Sequence, residues 1–463
     1  MSGHRPDRRI DGAIRSRRVI VRGEVAPATI LMSAGRISEI APYDLSPAVD
    51  LVDAGSDIVM AGLVDTHVHV DEPGRTDWEG FRSATRAAAA GGVTTLLDMP
   101  LNSTPATTTV PALAAKERAA AQSCFVDVGF IGGVVPGNAE DLEALFAAGV
   151  LAFKCFLVPS GVPDFPPVCE ADLREALPIL ARLGAPLMVH SESPDRITSA
   201  TEAAAESLRK SPREYASYLS TRPAVAESDA ISLMVSLARE YDAWIHVVHV
   251  SSADAIPVLA HARSAGVRVT AESCPHYLFF CAEDIADGAT EFKCAPPIRR
   301  REHRDALWAA LDRRTLDMVV SDHSPCPPEL KCRESGHFMD AWGGISSLQL
   351  GLGAVWAGAR ARGYGPARVS EWMSAAPASL AGLGSRKGEL VPGADADIVI
   401  WSPDEDLEVR AESLHHRHAL TPYLGATLPG VVRATYLRGR LIYDRGAFAP
   451  EPCGILQKHR DSR

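Results

Sequence analysis

Through the middle of the chain, short apolar runs alternate with alanine-rich stretches of helical period. Between about residues 60 and 325, "GLVDTHVHV" precedes "WEGFRSATRAAAA", "GGVTTLLDMP" precedes "VPALAAKERAAAQ", and "CFVDVGFIGG" precedes "AEDLEALFAAG". "VLAFKCFL", "PLMVHSE", "AWIHVVHVS", "VRVTAESCP" and "LDMVVSDHSP" bring the strand candidates to eight. These runs are continuously apolar, as expected of parallel strands buried on both faces. Eight strand-then-helix units predict an α/β fold, a (β/α)8 TIM barrel.

The chain ends have a different texture. "RVIVRGEVAPATILMSAGRISEIAP" and "VVRATYLRGRLIYDRG" are β-branched runs broken by glycine and proline. They predict antiparallel strands with tight turns, assembled into one small β-sandwich from both ends. The expected division is 1–59 for the N-terminal part of the sandwich, 60–385 for the barrel, and 386–463 for the rest of the sandwich and a tail.

Composition narrows the class. The chain has 463 residues, 46% apolar and 23% charged, which suits a globular enzyme. A net charge of −11 argues against nucleic-acid binding, and no apolar stretch is long enough to span a bilayer. The start, "MSGHRPDRRIDGAIRSRRVIVRG", is arginine-rich but lacks the apolar core of a signal peptide; an amphipathic transit segment is the weaker alternative. Nine cysteines without a CxxC pair suggest reduced cytoplasmic thiols, not a disulfide framework or a zinc ribbon.

Polar residues that can bind metals stand at particular strand ends. His67 and His69 alternate onto one face of the first strand. Lys154 interrupts the apolar fourth, His190 closes the fifth, His246 and His249 lie in the sixth, and Asp322 closes the eighth. One such histidine alone is usually a packed core residue, and one such aspartate a helix cap. Together they occupy five strand ends of one barrel, whose C-terminal ends converge on a single mouth. Neutral imidazoles with a carboxylate favour zinc or another borderline divalent ion. An ammonium has no lone pair to offer, and an unpaired buried charge is costly. Carbon dioxide added to the neutral Lys154 amine would give a carbamate with two oxygens able to bridge two ions. The alternatives are an acidic partner for Lys154 or snorkelling to water.

The stretches "VDTHVHVDEPGRTDWEG", "TTLLDMPLNSTPAT", "FKCF", "VHSE", "HVVHVSS", "ESCPHYL", "KCAPPIR", "VSDHSPCPPE" and "PGADADIVIW" together resemble the cyclic amidohydrolases, and within them the allantoinases. The resemblance implies that His67, His69, carboxylated Lys154 (N6-carboxylysine) and Asp322 hold one metal ion, and that Lys154, His190 and His249 hold the other. It implies two ions, zinc first and cobalt, manganese or iron as alternatives, a homotetramer, and hydrolysis of the hydantoin ring of allantoin to allantoate with Asp322 as the proton carrier. His246 has no ligand counterpart in that pattern and is left to support or packing.

Substrate choice within the group rests on fewer residues. Dihydroorotases have an arginine where Asp71 stands here, and a histidine where Cys326 stands. Hydantoinases and dihydropyrimidinases open the same kind of ring and stay the alternative reading; they usually carry a tyrosine just beyond the bridging lysine, where this chain has "CFLVPS". Arg75 belongs to "PGRT", a stretch typical of allantoinases. Asn102, Ser273 and Ser324 are the candidate contacts to the ring or the ureido arm. A non-catalytic scaffold is disfavoured, because all six ligand positions are filled.

Overall fold

The computed structural model describes residues 10–459. Eight parallel strands form the barrel: Leu63–Val68, Val93–Asp98, Asp127–Gly133, Ala152–Phe156, Leu187–His190, Ile245–Val247, Val269–Ser273 and Met318–Val319. They neighbour one another in chain order. Closure is made just past the eighth strand. There His323 bridges Val68 in parallel, and its carbonyl accepts from the His69 amide at 2.8 Å. The Asp65 carboxylate staples the seam, accepting from the amides of His67 and Ser321, each at 3.1 Å.

The alanine-rich stretches become the surrounding helices. In Ala224–Tyr241 the buried positions are Ala226, Glu227, Ala230, Ile231, Met234, Val235, Leu237 and Ala238, a stripe of helical period facing the strands. Three short helices, Pro194–Ala203, Ala205–Lys210 and Tyr215–Ser220, fill the long connection after the fifth strand. Ser193 starts the first of them: its hydroxyl accepts from the Arg196 amide, and Pro194 follows at the first helical position.

Both chain ends enter one continuous sheet. Ile58–Ala61 sits in its middle, parallel to Gly12–Val21 and antiparallel to Ile398–Glu408. Glu24–Ser33 and Arg36–Ala41 extend one side, Thr427–Leu437 and Arg440–Asp444 the other. Ile14, Val19, Ile30, Val59, Ile398 and Ile400 form its buried core. Arg15 to Arg18 of the arginine-rich start lie within a strand, where Arg15 pairs with Asp53 at 2.8 Å; residues 1–9 of that segment lie outside the described residues. No disulfide forms among the described residues, and all nine cysteines are free.

The tail leaves this sheet and joins the barrel. Leu456–Gln457 pairs in parallel with the start of the third barrel strand. Asp127 receives it, accepting from the Ile455 amide and from Gln457 Nε2, each at 2.9 Å, while Lys387 Nζ contacts the same carboxylate at 2.7 Å. Gly454 makes the approach possible, since a Cβ there would lie 1.9 Å from the Val126 carbonyl oxygen. Gly454→Ala is therefore expected to undock the tail and to cost about 1–3 kcal/mol, the usual range for overpacking. Chemical denaturation measures the loss, and faster carboxypeptidase trimming reports the freed tail. An unchanged midpoint and trimming rate would show that the docking is dispensable.

Candidate metal centre and active site

The six strand-end residues converge on the C-terminal mouth of the barrel. His67 Nε2 and His69 Nε2 lie 3.2 and 3.7 Å from the same oxygen, Asp322 Oδ1. The ring of His249 is 5.5 Å from that of His67 and 4.6 Å from that of His190, centroid to centroid. Lys154 lies between these groups, fully buried, and its amine has no hydrogen-bond partner among the described residues. A cavity of about 360 Å³ opens onto His67, His69, Asn102, His190, His249, Asp322 and Ser324.

Burial sets the protonation states. It lowers the His67 pKa to about 4, aided by the nearby Lys154 charge. His69 and His249 fall well below the usual histidine value, again chiefly through burial. All three rings are therefore neutral and have lone pairs to offer near neutral pH. Burial also lowers Lys154 and raises Asp322, while their mutual attraction opposes both shifts. The low-dielectric site thus pushes the lysine toward a neutral, nucleophilic amine.

Carboxylates behind the rings fix their orientation. His67 Nδ1 donates to Glu272 Oε1 at 2.6 Å, which leaves Nε2 free on the Asp322 side. His246 Nε2 donates to the other Glu272 oxygen at 2.9 Å and touches Thr270 Oγ1 at 2.8 Å through Nδ1. Burial would raise Glu272, but His67 and His246 outweigh it and hold its pKa at about 2. His190 Nε2 donates to Glu192 Oε2 at 2.7 Å, and Arg222 binds the same oxygen.

The local backbone is held away from relaxed geometry. Asp71, Asn102, His249 and Asp322 all have positive φ, between 42° and 68°. Asp, Asn and His enter this region more readily than other non-glycine residues, yet it remains uncommon and persists where the surrounding structure over-determines it.

The substrate candidates separate in the structure. Asn102 lines the cavity, and its amide lies 3.2 Å from His69 Nδ1. Ser324 also lines it, beside Gly344, where an added Cβ would come within 2.3 Å of the Ser324 carbonyl oxygen. Ser273 does not: its hydroxyl donates to the Val250 carbonyl at 2.9 Å, and it lies outside the cavity wall. Asp71 and Cys326 are buried and also outside the wall. Asp71 therefore does not face a bound molecule as a repelling charge. The charged side chains that do reach the wall besides Asp322 are Arg222 and Lys293.

Residues 58–442 match the model of the amidohydrolase family. The chain belongs to that family. Among amidohydrolases it is 48% identical to the allantoinase of Streptomyces avermitilis, over 96% of this chain and 98% of that one. It is 42% identical to the allantoinase of Saccharomyces cerevisiae, over 93% and 95%. In structure it resembles the L-hydantoinase (dihydropyrimidinase) of Arthrobacter aurescens, with a TM-score of 0.91 and 29% identity over 97% of this chain and all of that one.

Three supports of this amidohydrolase site were not singled out in the sequence: Glu272, Glu192 and Arg222. Glu272 had a usable signal. It stands two residues after Thr270 in "VTAES", on the same strand face, inside a run otherwise too apolar to carry an unpaired carboxylate. Glu192 follows His190 by two residues in "VHSE". Arg222 has no local signal, because its partner lies in a different segment.

Proposed function

We propose that the protein opens the hydantoin ring of allantoin by hydrolysis at the N3–C4 amide, giving allantoate. The observation that carries the reading is the Lys154 amine, buried without a hydrogen-bond partner beside neutral histidines and Asp322. Burial disfavours a permanently charged lysine there. Its neutral lone pair adds to carbon dioxide and loses one proton, and the resulting carbamate offers two oxygens.

With that N6-carboxylysine, the donor set fits two divalent ions. His67, His69, Asp322 and one carbamate oxygen would hold the first; His190, His249 and the other oxygen would hold the second. Three or more N/O donors per ion suit zinc, and cobalt, manganese or iron also fit. When bound, the ions polarise the ring carbonyl and lower the pKa of water.

The chain's own residues do the rest. Glu272 and Glu192 keep His67 and His190 turned toward the cavity. Asp322 takes the proton of the attacking water and passes it to ring nitrogen as the C–N bond breaks. The water oxygen ends on the new carboxylate, one of its protons ends on the freed ureido nitrogen, and the other is released to solvent, so one water is consumed. Asn102 and Ser324 are placed to bind polar atoms of the ring and arm. A cytoplasmic homotetramer is part of the same reading. No described helix is long and apolar enough to cross a membrane.

The structural neighbours favour a second reading, a broader hydantoinase-type amidase. Side-by-side assay of the metal-loaded protein on allantoin, hydantoin, dihydrouracil and dihydroorotate decides between them, with allantoin expected to give the highest kcat/KM. Dihydroorotate is expected to be worse by a factor of about 10² to 10⁴, from loss of two charge-assisted contacts at roughly 1.5–3 kcal/mol each. Its carboxylate would find only Arg222, already held by Glu192, and Lys293, already donating to the carbonyls of Met339 and Ala341. Equal efficiency on dihydroorotate and allantoin would overturn the assignment. Higher efficiency on hydantoin or dihydrouracil than on allantoin would favour the second reading.

A further inference from the structure

His190 and His249 come from different strands, yet one chain of polar groups, buried apart from Arg222 at the cavity wall, links the segments that carry them. At one end, His190 donates to Glu192, which also binds Arg222. The Arg222 carbonyl accepts from Arg299 Nη1 at 2.9 Å. Arg299 then grips Glu227 Oε1 through Nε at 2.9 Å and Nη2 at 2.6 Å. Glu227 Oε2 accepts from the amides of Ser251 and Ser252 at 3.0 and 3.2 Å, and Oε1 accepts from the Ser251 hydroxyl at 2.7 Å. Arg299 Nε also reaches that hydroxyl oxygen, at 2.9 Å.

Ser251 stands two residues beyond His249. That histidine has φ of 42° and no partner for Nδ1 among the described residues. Among the described residues nothing comparable to Glu272 or Glu192 orients its ring. Its position depends on its backbone, and the backbone is clamped by Glu227 on the helix Ala224–Tyr241. Arg299 is the group common to both arms. Its guanidinium is rigid and planar and holds Glu227 and the Arg222 carbonyl at once, a geometry that a lysine ammonium does not reproduce.

We infer that Arg299 is a positioning residue that couples His190 to His249 and so sets the affinity of the metal subsite these two histidines share. The inference rests on the ligand set proposed above. It adds that the two metal-binding steps are separable, one governed by Glu272 behind His67 and the other by Arg299 behind His190 and His249.

The test is chelator-competition titration of the apo protein with zinc, resolving the two steps, with metal content checked by elemental analysis. The unsubstituted protein is expected to bind two ions. Arg299→Met is expected to leave the first step unchanged and to weaken the second by about 10- to 100-fold, the usual effect of losing support behind a ligand. Arg299→Lys is expected to recover part of that loss. Ser251→Ala, a milder change that keeps the fold, is expected to weaken the same step to a smaller degree. Val59→Ala, which only loosens the core of the terminal sheet, serves as a control for general destabilisation and is expected to change neither step. Wild-type-like binding by both Arg299→Met and Ser251→Ala would overturn the inference. So would equal weakening of both steps, or a matching loss in Val59→Ala. If Arg299→Met fails to fold, Ser251→Ala and Arg299→Lys decide by the same criterion. Failure of the unsubstituted protein to bind a second ion would instead overturn the ligand set itself.

Discussion

Lys154→Ala is expected to abolish turnover and the binding of a paired metal centre. The substitution removes the group that, as a carbamate, would offer a two-oxygen bridge between the two sets of histidines. Without it, His190 and His249 offer two nitrogens, too few for a closed site, and His67, His69 and Asp322 lose a shared ligand. Loss of the paired centre forfeits both carbonyl polarisation and water activation, so turnover should fall by several orders of magnitude. Elemental analysis should find fewer than two ions per chain. Added short carboxylic acids, with carbon dioxide withheld, should restore part of the activity by standing in for the carbamate. The competing account, a structural ammonium, predicts the reverse: metal content and rate survive, and only stability changes. Two ions and full turnover in Lys154→Ala would end the carbamate reading.

Asp322→Asn is expected to separate metal binding from proton transfer. Asn, like Asp, tolerates the left-handed backbone that residue 322 adopts, at φ 45°. The loop should therefore keep its shape, and an amide oxygen can remain near His67 and His69. An amide cannot take up the proton of the attacking water. The expected result is near-normal metal content with kcat reduced by about 10²- to 10⁴-fold, the range for losing a general acid–base. KM should change little, since the lost interaction belongs to the transition state. A variant that is metal-loaded and fully active would remove Asp322 from the proton path.

The barrel was legible because parallel strands are apolar on both faces, so each appears as an unbroken run that needs no partner to be recognised. The paired histidines were legible for a related reason: period two fixes their common face. What stayed hidden depends on meetings between distant segments. Ser273 stands at a strand end like the others, yet its hydroxyl turns to Val250 on the adjoining segment, and periodicity does not report that choice. Asp71 is two residues from His69 yet is buried outside the wall, near Asp98 and Glu79, neighbours that no repeating pattern places beside it. The two-residue tail strand Leu456–Gln457 is too short for any pattern. Glu272 could have been found by asking which charged residue an apolar strand could not bury alone. Arg299 could not, since its role exists only once the helix bearing Glu227 is in place.

The strand Ile58–Ala61 has partners from opposite ends of the chain. During synthesis it leaves the ribosome long before Ile398–Trp401 is made, and until then one edge of the N-terminal strands stands unpaired, a template for pairing with other chains. The third barrel strand waits longer still, for Leu456–Gln457. Pairings this distant in sequence fold slowly, and nascent intermediates with open edges are prone to aggregate. Recombinant yield should therefore depend on growth temperature and chaperone supply more steeply than the stability of the finished enzyme suggests.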